Sequence, residues 1–182
     1  VKSFKPAQIR YRAFDEPQPG FAREDLLVMD AGHPSHGEGA PRRWFWLRDC
    51  EVQLLYEPWH WKNRWYVDLV SIKHLQGSDI YEIRDMEIDI ILEAQAPLYR
   101  IIDLEKFGER VGCGEFTLEE AMDVLIRTQT FLDRYLHPIG QEELFKLRPG
   151  DVVWPPKIVE ELFSSDHNYP AIPVEGRGVE RS

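Results

Sequence analysis

Three carboxylates at alternate positions, Asp85, Glu87 and Asp89 in Arg84-Asp-Met-Glu-Ile-Asp-Ile-Ile-Leu92, have the spacing in this chain that best suits chemistry. The isoleucine-rich run from Ile83 to Leu92 reads as a β-strand, and side chains at i, i+2 and i+4 of a strand share one face. The three acids would then point the same way, about 7 Å apart at each step. Like charges on one face repel, so a positive partner is expected, and a hard divalent cation is the simplest one. Asp68 in Trp65-Tyr-Val-Asp-Leu69 follows Tyr66 by two, so both fall on one face of a neighbouring strand. Asp103 ends the run Leu98-Tyr-Arg-Ile-Ile102 and can join the same cluster. Every candidate ligand is an oxygen donor, which suits Mg²⁺ or Mn²⁺ rather than zinc.

Composition and charge narrow the function classes. The 182 residues are 43% hydrophobic and include 6 Trp, 7 Tyr and 9 Phe, enough apolar material for the core of one domain. Cys50 and Cys113 have no paired spacing, so neither a disulfide framework nor a zinc knuckle is expected. No apolar run approaches the ~20 residues that cross a bilayer, and no signal peptide is visible. A cytoplasmic protein without a membrane partner is the expectation. The net charge of −10 is uneven: residues 1–77 hold 11 Lys/Arg against 10 Asp/Glu, and residues 78–123 hold 4 against 13. A binder of duplex nucleic acid carries a basic surplus, and none occurs here. An acidic half that binds metal, facing a half whose arginines hold phosphate, fits the contrast.

Short strands separated by polar turns must position these residues. Gln8–Phe14 alternates, Leu26–Met29 follows a Pro/Gly break at Pro17, Pro19 and Gly20, and Arg43–Leu47 and Glu51–Tyr56 come next. Lys62-Asn63 reads as a hairpin turn before Arg64–Ser71, and strands at Ile80–Leu92 and Leu98–Ile102 complete the set. This pattern predicts an α+β fold, a small antiparallel β-barrel with C-terminal helices packed on it. The barrel should span residues 1–103, the helical part of the same domain 104–163, and a loose polar tail 164–182. Leu104–Val111 reads as a helix with Asp103 as its N-cap. Thr117-Leu-Glu-Glu120 is a capping box. It opens a long amphipathic helix whose Leu118, Ala121, Leu125, Thr128, Leu132, Tyr135 and Leu136 recur at helical spacing. Shorter helices are expected at Gln141–Leu147 and Pro156–Phe163.

Trp65-Tyr-Val-Asp-Leu69, Asp85-Met-Glu-Ile-Asp89 and Ile102-Asp-Leu-Glu-Lys-Phe107 together resemble the domain-of-unknown-function family 402, over roughly residues 50–136. The resemblance implies a small β-barrel with C-terminal helices that hydrolyses nucleoside di- and triphosphates or related nucleotide esters. It places Asp68, Asp85, Glu87, Asp89 and Asp103 as metal ligands for Mg²⁺ or Mn²⁺. It also implies an arginine on an early strand, for which Arg10 and Arg12 are the candidates. The family carries a second acid three residues after Asp103, and here that residue is Lys106, which can pair with Glu87 or meet a substrate phosphate.

With metal and fold in place, hydrolysis needs charge on the phosphate oxygens neutralised and a water aligned. Arg10 or Arg12 would clamp phosphate through its planar fork, and Tyr66 would relay a proton or orient the water. Of Trp44, Trp46, Trp59, Trp61 and Trp65, most read as core, and Trp61 and Trp65 are the candidates for stacking on a base. His33 and His36 lack a third ligand, Cys113 lacks an activating partner, and no P-loop occurs. The expected function is a metal-dependent nucleotide phosphohydrolase. The other reading is a module that binds or cleaves single-stranded RNA.

Overall fold

Alternation of apolar side chains along short strands closes the sheet into a barrel with two packed faces. The computed structural model describes residues 3–32, 42–57, 63–93, 98–137 and 154–175. The strands are β1 Lys5–Tyr11, β2 Gln18–Ala22, β3 Leu26–Ala31, β4 Arg42–Leu47, β5 Val52–Tyr56, β6 Arg64–His74, β7 Ile80–Glu93 and β8 Tyr99–Ile102. Neighbours from β1 to β8 pair antiparallel in chain order. β1 then pairs parallel with β7, from Gln8 opposite Ile80 to Tyr11 opposite Ile83, and β8 extends from β7. The barrel is therefore mixed rather than wholly antiparallel, because its first and last strands run the same way.

Ile9, Leu27, Met29, Trp46, Val70 and Ile83 fill the interior. Val28, Phe45, Leu54, Val67, Ile88 and Ile90 face outward into a second core closed by Phe107, Val124, Phe131 and Val159. β2 occupies the stretch that reads as a Pro/Gly break. Gly20 makes it possible, because a Cβ there would stand 2.6 Å from Ile9 Cδ1 and 2.9 Å from the Val28 carbonyl oxygen. Only a residue without a side chain lets β2 approach its neighbours this closely.

Helix α1 spans Leu104–Gly112, α2 Leu118–Phe131 and α3 Lys157–Glu160. The Thr117 capping box forms: Glu120 N–H donates to Thr117 Oγ1 at 3.1 Å and Thr117 N–H to Glu120 Oε2 at 2.8 Å. Asp103 does not cap α1 with its side chain; its backbone is left-handed at φ 62°. The face of α2 is rotated from the expected one: Ala121, Val124, Thr128 and Phe131 are buried, while Leu118 is 72% and Leu125 51% exposed. The α2 helix continues through a π-helical turn, Leu132–Leu136. The helix expected at Gln141–Leu147 lies outside the described residues.

Residues 164–175 are tied down rather than loose. Phe4 N–H donates to the Pro173 carbonyl at 2.8 Å, and Glu175 N–H to the Phe4 carbonyl at 3.0 Å. The buried Arg43 guanidinium pairs with Asp30 and donates to the carbonyls of Leu162, at 3.1 Å, and Pro170, at 2.6 Å. Polar backbone in the tail thus finds partners that its composition does not reveal. Among the described residues, no helix is long and apolar enough to cross a membrane.

Candidate functional site

Strand β7 presents its three acids around a bulge because it is two residues too long for its partner. Asp68 of β6 faces Asp89 of β7, yet Val70, two residues on, faces Asp85, four residues back. The surplus forms a bulge at Met86 and Glu87, with Glu87 at φ 67°. The Asp85 carboxylate accepts the Glu87 N–H at 2.6 Å, which fixes the turn locally. Bulges re-aim side chains next to functional sites, and non-glycine residues at positive φ cluster there. Asp103, a second of the site acids, also has positive φ.

The bulge opens into a cleft of about 390 Å³ at the end of the barrel where β1 finishes. Asp68, Asp85, Glu87, Asp89 and Asp103 line it, together with Tyr66, Arg12 and Lys106. Those eight residues were all singled out from sequence. Asp68, Asp85, Glu87 and Asp89 are buried, each 9% exposed or less. A larger recess, about 690 Å³, opens at the opposite mouth beside Lys5, Arg23, Arg48 and His74. It holds no cluster of buried carboxylates among the described residues, so the acid cleft is the candidate site.

Three cations of the chain meet the outer acids. Arg12 pairs with Asp85 and reaches Glu87 at 3.4 Å. Arg110, from α1, pairs with Glu87 at 2.7 Å and is itself held by Glu115 at 2.5 Å. Lys106, one turn earlier on α1, pairs with Asp103 rather than Glu87, at 2.7 Å. Asp68 and Asp89 receive only neutral donors. Gln53 donates its amide to Asp68 Oδ2 and is oriented by Trp46 Nε1–H at 3.0 Å, and the Tyr66 hydroxyl donates to Asp89 Oδ2. Asp68 Oδ1 is buried with no hydrogen-bond partner.

Burial and charge raise the affinity of this pair for protons. Burial, then the Asp89 and Asp85 carboxylates, hold Asp68 well above the usual carboxylate range. Burial pushes Asp89 up to about 7, reinforced by Asp85, Asp103 and Glu87 against the Tyr66 hydrogen bond, which lowers it. The two face each other across β6 and β7, and a proton or a cation between them would satisfy the orphaned Asp68 oxygen. Burial, followed by Asp68 and Asp89, raises the Tyr66 phenol as well. Tyr66 is therefore a fixed hydrogen-bond donor at neutral pH rather than a base.

Among the described residues no three His, Cys, Asp or Glu side chains form a ready-made metal cage. Asp85, Glu87 and Asp89 line one cleft, and Arg12 and Arg110 engage the first two. Asp68 and Asp89 fit a hard divalent ion better: Mg²⁺ characteristically takes one or two carboxylates and completes its shell with water and substrate phosphate.

Two expectations are corrected. Arg10 points out of the barrel, where β1 and β7 set it opposite Glu82, and the pair meets at 2.5 Å. Arg12 enters the cleft because β1 ends at Tyr11 and the chain turns there. Trp65 is 1% exposed and packs on Phe45, Tyr56, Trp154 and Phe163, so it is core and not a stacking surface. Trp44 and Trp46 are likewise buried, although Trp44 borders the cleft. Trp61, Trp59, His33 and His36 lie outside the described residues. Sequence reasoning missed Gln53, Tyr11 and Arg110. The last was within reach, since Lys106 and Arg110 stand four apart on one face of a helix that starts at a site acid.

No protein-family model and no curated protein matches the chain. Solved structures do share its fold. FomD, in complex with CDP, superposes with a TM-score of 0.56 at 16% identity, over 83% of this chain and 95% of FomD. The phosphatase SC4828, with the non-hydrolysable nucleotide GPCP, gives 0.50 at 16% identity over 85% and 92%. A protein of unknown function, DUF402, from Rhodococcus sp. RHA1 gives 0.48 at 15% identity over 75% and 80%. The chain thus has the barrel fold of FomD and SC4828, both of which it spans almost end to end.

Proposed function

We propose that the chain hydrolyses phosphoanhydride or phosphoester bonds of nucleotides, in nucleoside di- or triphosphates or related esters, with one divalent ion, Mg²⁺ or Mn²⁺, that Asp68 and Asp89 would hold. The observation that carries this is the charge count of the cleft. Five carboxylates face three cations, and two of the acids have no cationic partner among the described residues. They are Asp68 and Asp89, beside a buried oxygen that lacks a donor. The nucleotide complexes of FomD and SC4828, which share the fold, support the substrate class.

A divalent ion held there would neutralise charge on phosphate oxygens and make an attacking water more acidic. The chain's own groups do the rest. Arg12, whose side chain is 57% exposed, is free to exchange Asp85 for a substrate phosphate and bind it through two parallel N–H groups. Lys106, at the same rim, adds a second positive charge for phosphate. The Tyr66 hydroxyl and the Gln53 amide hold Asp89 and Asp68 in place, so the carboxylates need no reordering when substrate arrives.

Phosphate release from a panel of nucleoside mono-, di- and triphosphates, with Mg²⁺, with Mn²⁺ and with EDTA, tests this reading. Hydrolysis that needs the metal and is abolished by Asp68→Asn, with the variant still folded, is expected. Hydrolysis indifferent to EDTA, or no nucleotide cleaved under any condition, would overturn it.

A further inference from the structure

The geometry points to a limit of one divalent ion per cleft, set by Lys106; this rests on the metal reading above and goes beyond it. We infer that the Lys106 ammonium occupies the place of a second ion, so that the chain carries a permanent cation where another metal would otherwise be drawn in.

Five carboxylates stand in the cleft, and three are already neutralised from within the chain. Lys106 holds Asp103 at 2.7 Å, Arg110 holds Glu87 at 2.7 Å, and Arg12 holds Asp85. No described cation pairs with Asp68 or Asp89, and Asp68 Oδ1, buried among them, has no donor. Once Asp68 and Asp89 give up the proton they share, one divalent charge balances their two, and a second would sit in a cluster with surplus positive charge. Asp103 shows how the place is taken. It leaves its capping role on α1 unfilled, adopts a left-handed backbone, and gives its carboxylate to Lys106 three residues on. A lysine ammonium is charged at neutral pH. A charged ammonium has three donors and no lone pair for a metal.

The three cations are not equivalent. Arg110 is braced by Glu115 and lies 6.0 Å from the Phe116 ring, and it fixes the strained Glu87. Arg12 is the most loosely framed of the arginines and is needed for phosphate. Lys106, with its side chain 61% exposed, is the one whose replacement changes the charge of the rim without removing a buried contact. Lys106→Glu removes one positive charge and adds one negative, taking the imbalance from two to four, which is the charge of two divalent ions.

The test is titration of the chelator-treated, nucleotide-free chain with Mn²⁺, counting bound ions by the loss of the free-ion EPR signal and by calorimetry. One ion per wild-type chain and two per Lys106→Glu chain are expected, with Lys157→Glu, on α3 and away from the cleft, remaining at one. Circular dichroism checks that each variant is folded. Two ions on the wild type, or a single ion on folded Lys106→Glu, would overturn the limit while leaving the metal reading intact. A wild type that binds no Mn²⁺ would remove that reading and the limit with it.

Discussion

Replacing Asp89 by Asn should stabilise the metal-free protein at alkaline pH and leave it unchanged in acid. Asp89 ionises near 7 in the folded chain, against 3.8 when unperturbed, because it is buried beside Asp85, Asp103 and Glu87 and opposite Asp68. Its folded pKa is raised, so between those two values the folded state keeps a proton that the unfolded chain has lost. Stability then falls as pH rises through that window and levels off above it. A shift of about three units corresponds to on the order of 4 kcal/mol at about 1.4 kcal/mol per unit. For a chain of this size each kcal/mol moves Tm by roughly 2–4 °C, so about 8–16 °C is at stake. Asp68 is raised in the same direction and shares the proton, so the pair titrates together. An Asn at position 89 still accepts from Tyr66 and lets Asp68 ionise without a facing charge. Thermal melts by circular dichroism in EDTA, from pH 4.5 to 8.5, read the effect. The wild type should lose Tm as pH rises to about 7, the variant should lose much less, and saturating Mn²⁺ at pH 8 should restore only the wild type. A wild-type Tm that is flat or rises from pH 5 to 7, or equal slopes in both proteins, would refute a strained carboxyl pair.

Two further outcomes follow from single contacts. Arg12→Ala should lower kcat/KM for nucleotide at least ~10-fold, the scale of one charge-assisted hydrogen bond to phosphate; Arg10→Ala, which loses only the exposed Glu82 pair, should stay within about threefold. Steady-state kinetics with matched loss at both positions would show that the cleft takes its phosphate elsewhere. Gly20→Ala should cost about 1–3 kcal/mol in urea unfolding, the scale of an overpacked site, because the added methyl meets Ile9 and the Val28 carbonyl. A change below ~0.5 kcal/mol would mean that β2 shifts freely.

What the sequence revealed and what it hid divide along a physical line. Alternation made β1, β3 to β7 and β8 readable, and the acids on β7 kept their common face. Thr117 and Glu120 signalled a helix start that depends on four neighbouring residues only. The hidden features all depend on distant partners. Pro19 and Gly20 look like a break until Ile9 and Val28 are brought against them. The parallel β1–β7 seam joins residues about seventy apart, with no local signal. Arg10 and Arg12 share a face in an ideal strand, and only the end of β1 at Tyr11 sends them to different places. Trp65 could not be assigned to core or surface by type, because a tryptophan serves either. Glu87 has no glycine nearby to mark its positive φ; the surplus on β7 is visible only against β6.

That surplus counts two residues, and the number matters. A strand turns a side chain over at every step, so one extra residue would have reversed every position after it. Two leave Ile83 and Asp85 on one side of the bulge, and Asp89 on the other, all facing inward, while Met86, Ile88 and Ile90 stay in the outer core. The bulge is therefore a parity-neutral insertion: excising Met86 and Glu87 would rejoin the strand in phase. Architecture and the acidic cleft can then change independently in this barrel, and a chain that lost the pair could keep its shape without Glu87 in the cleft.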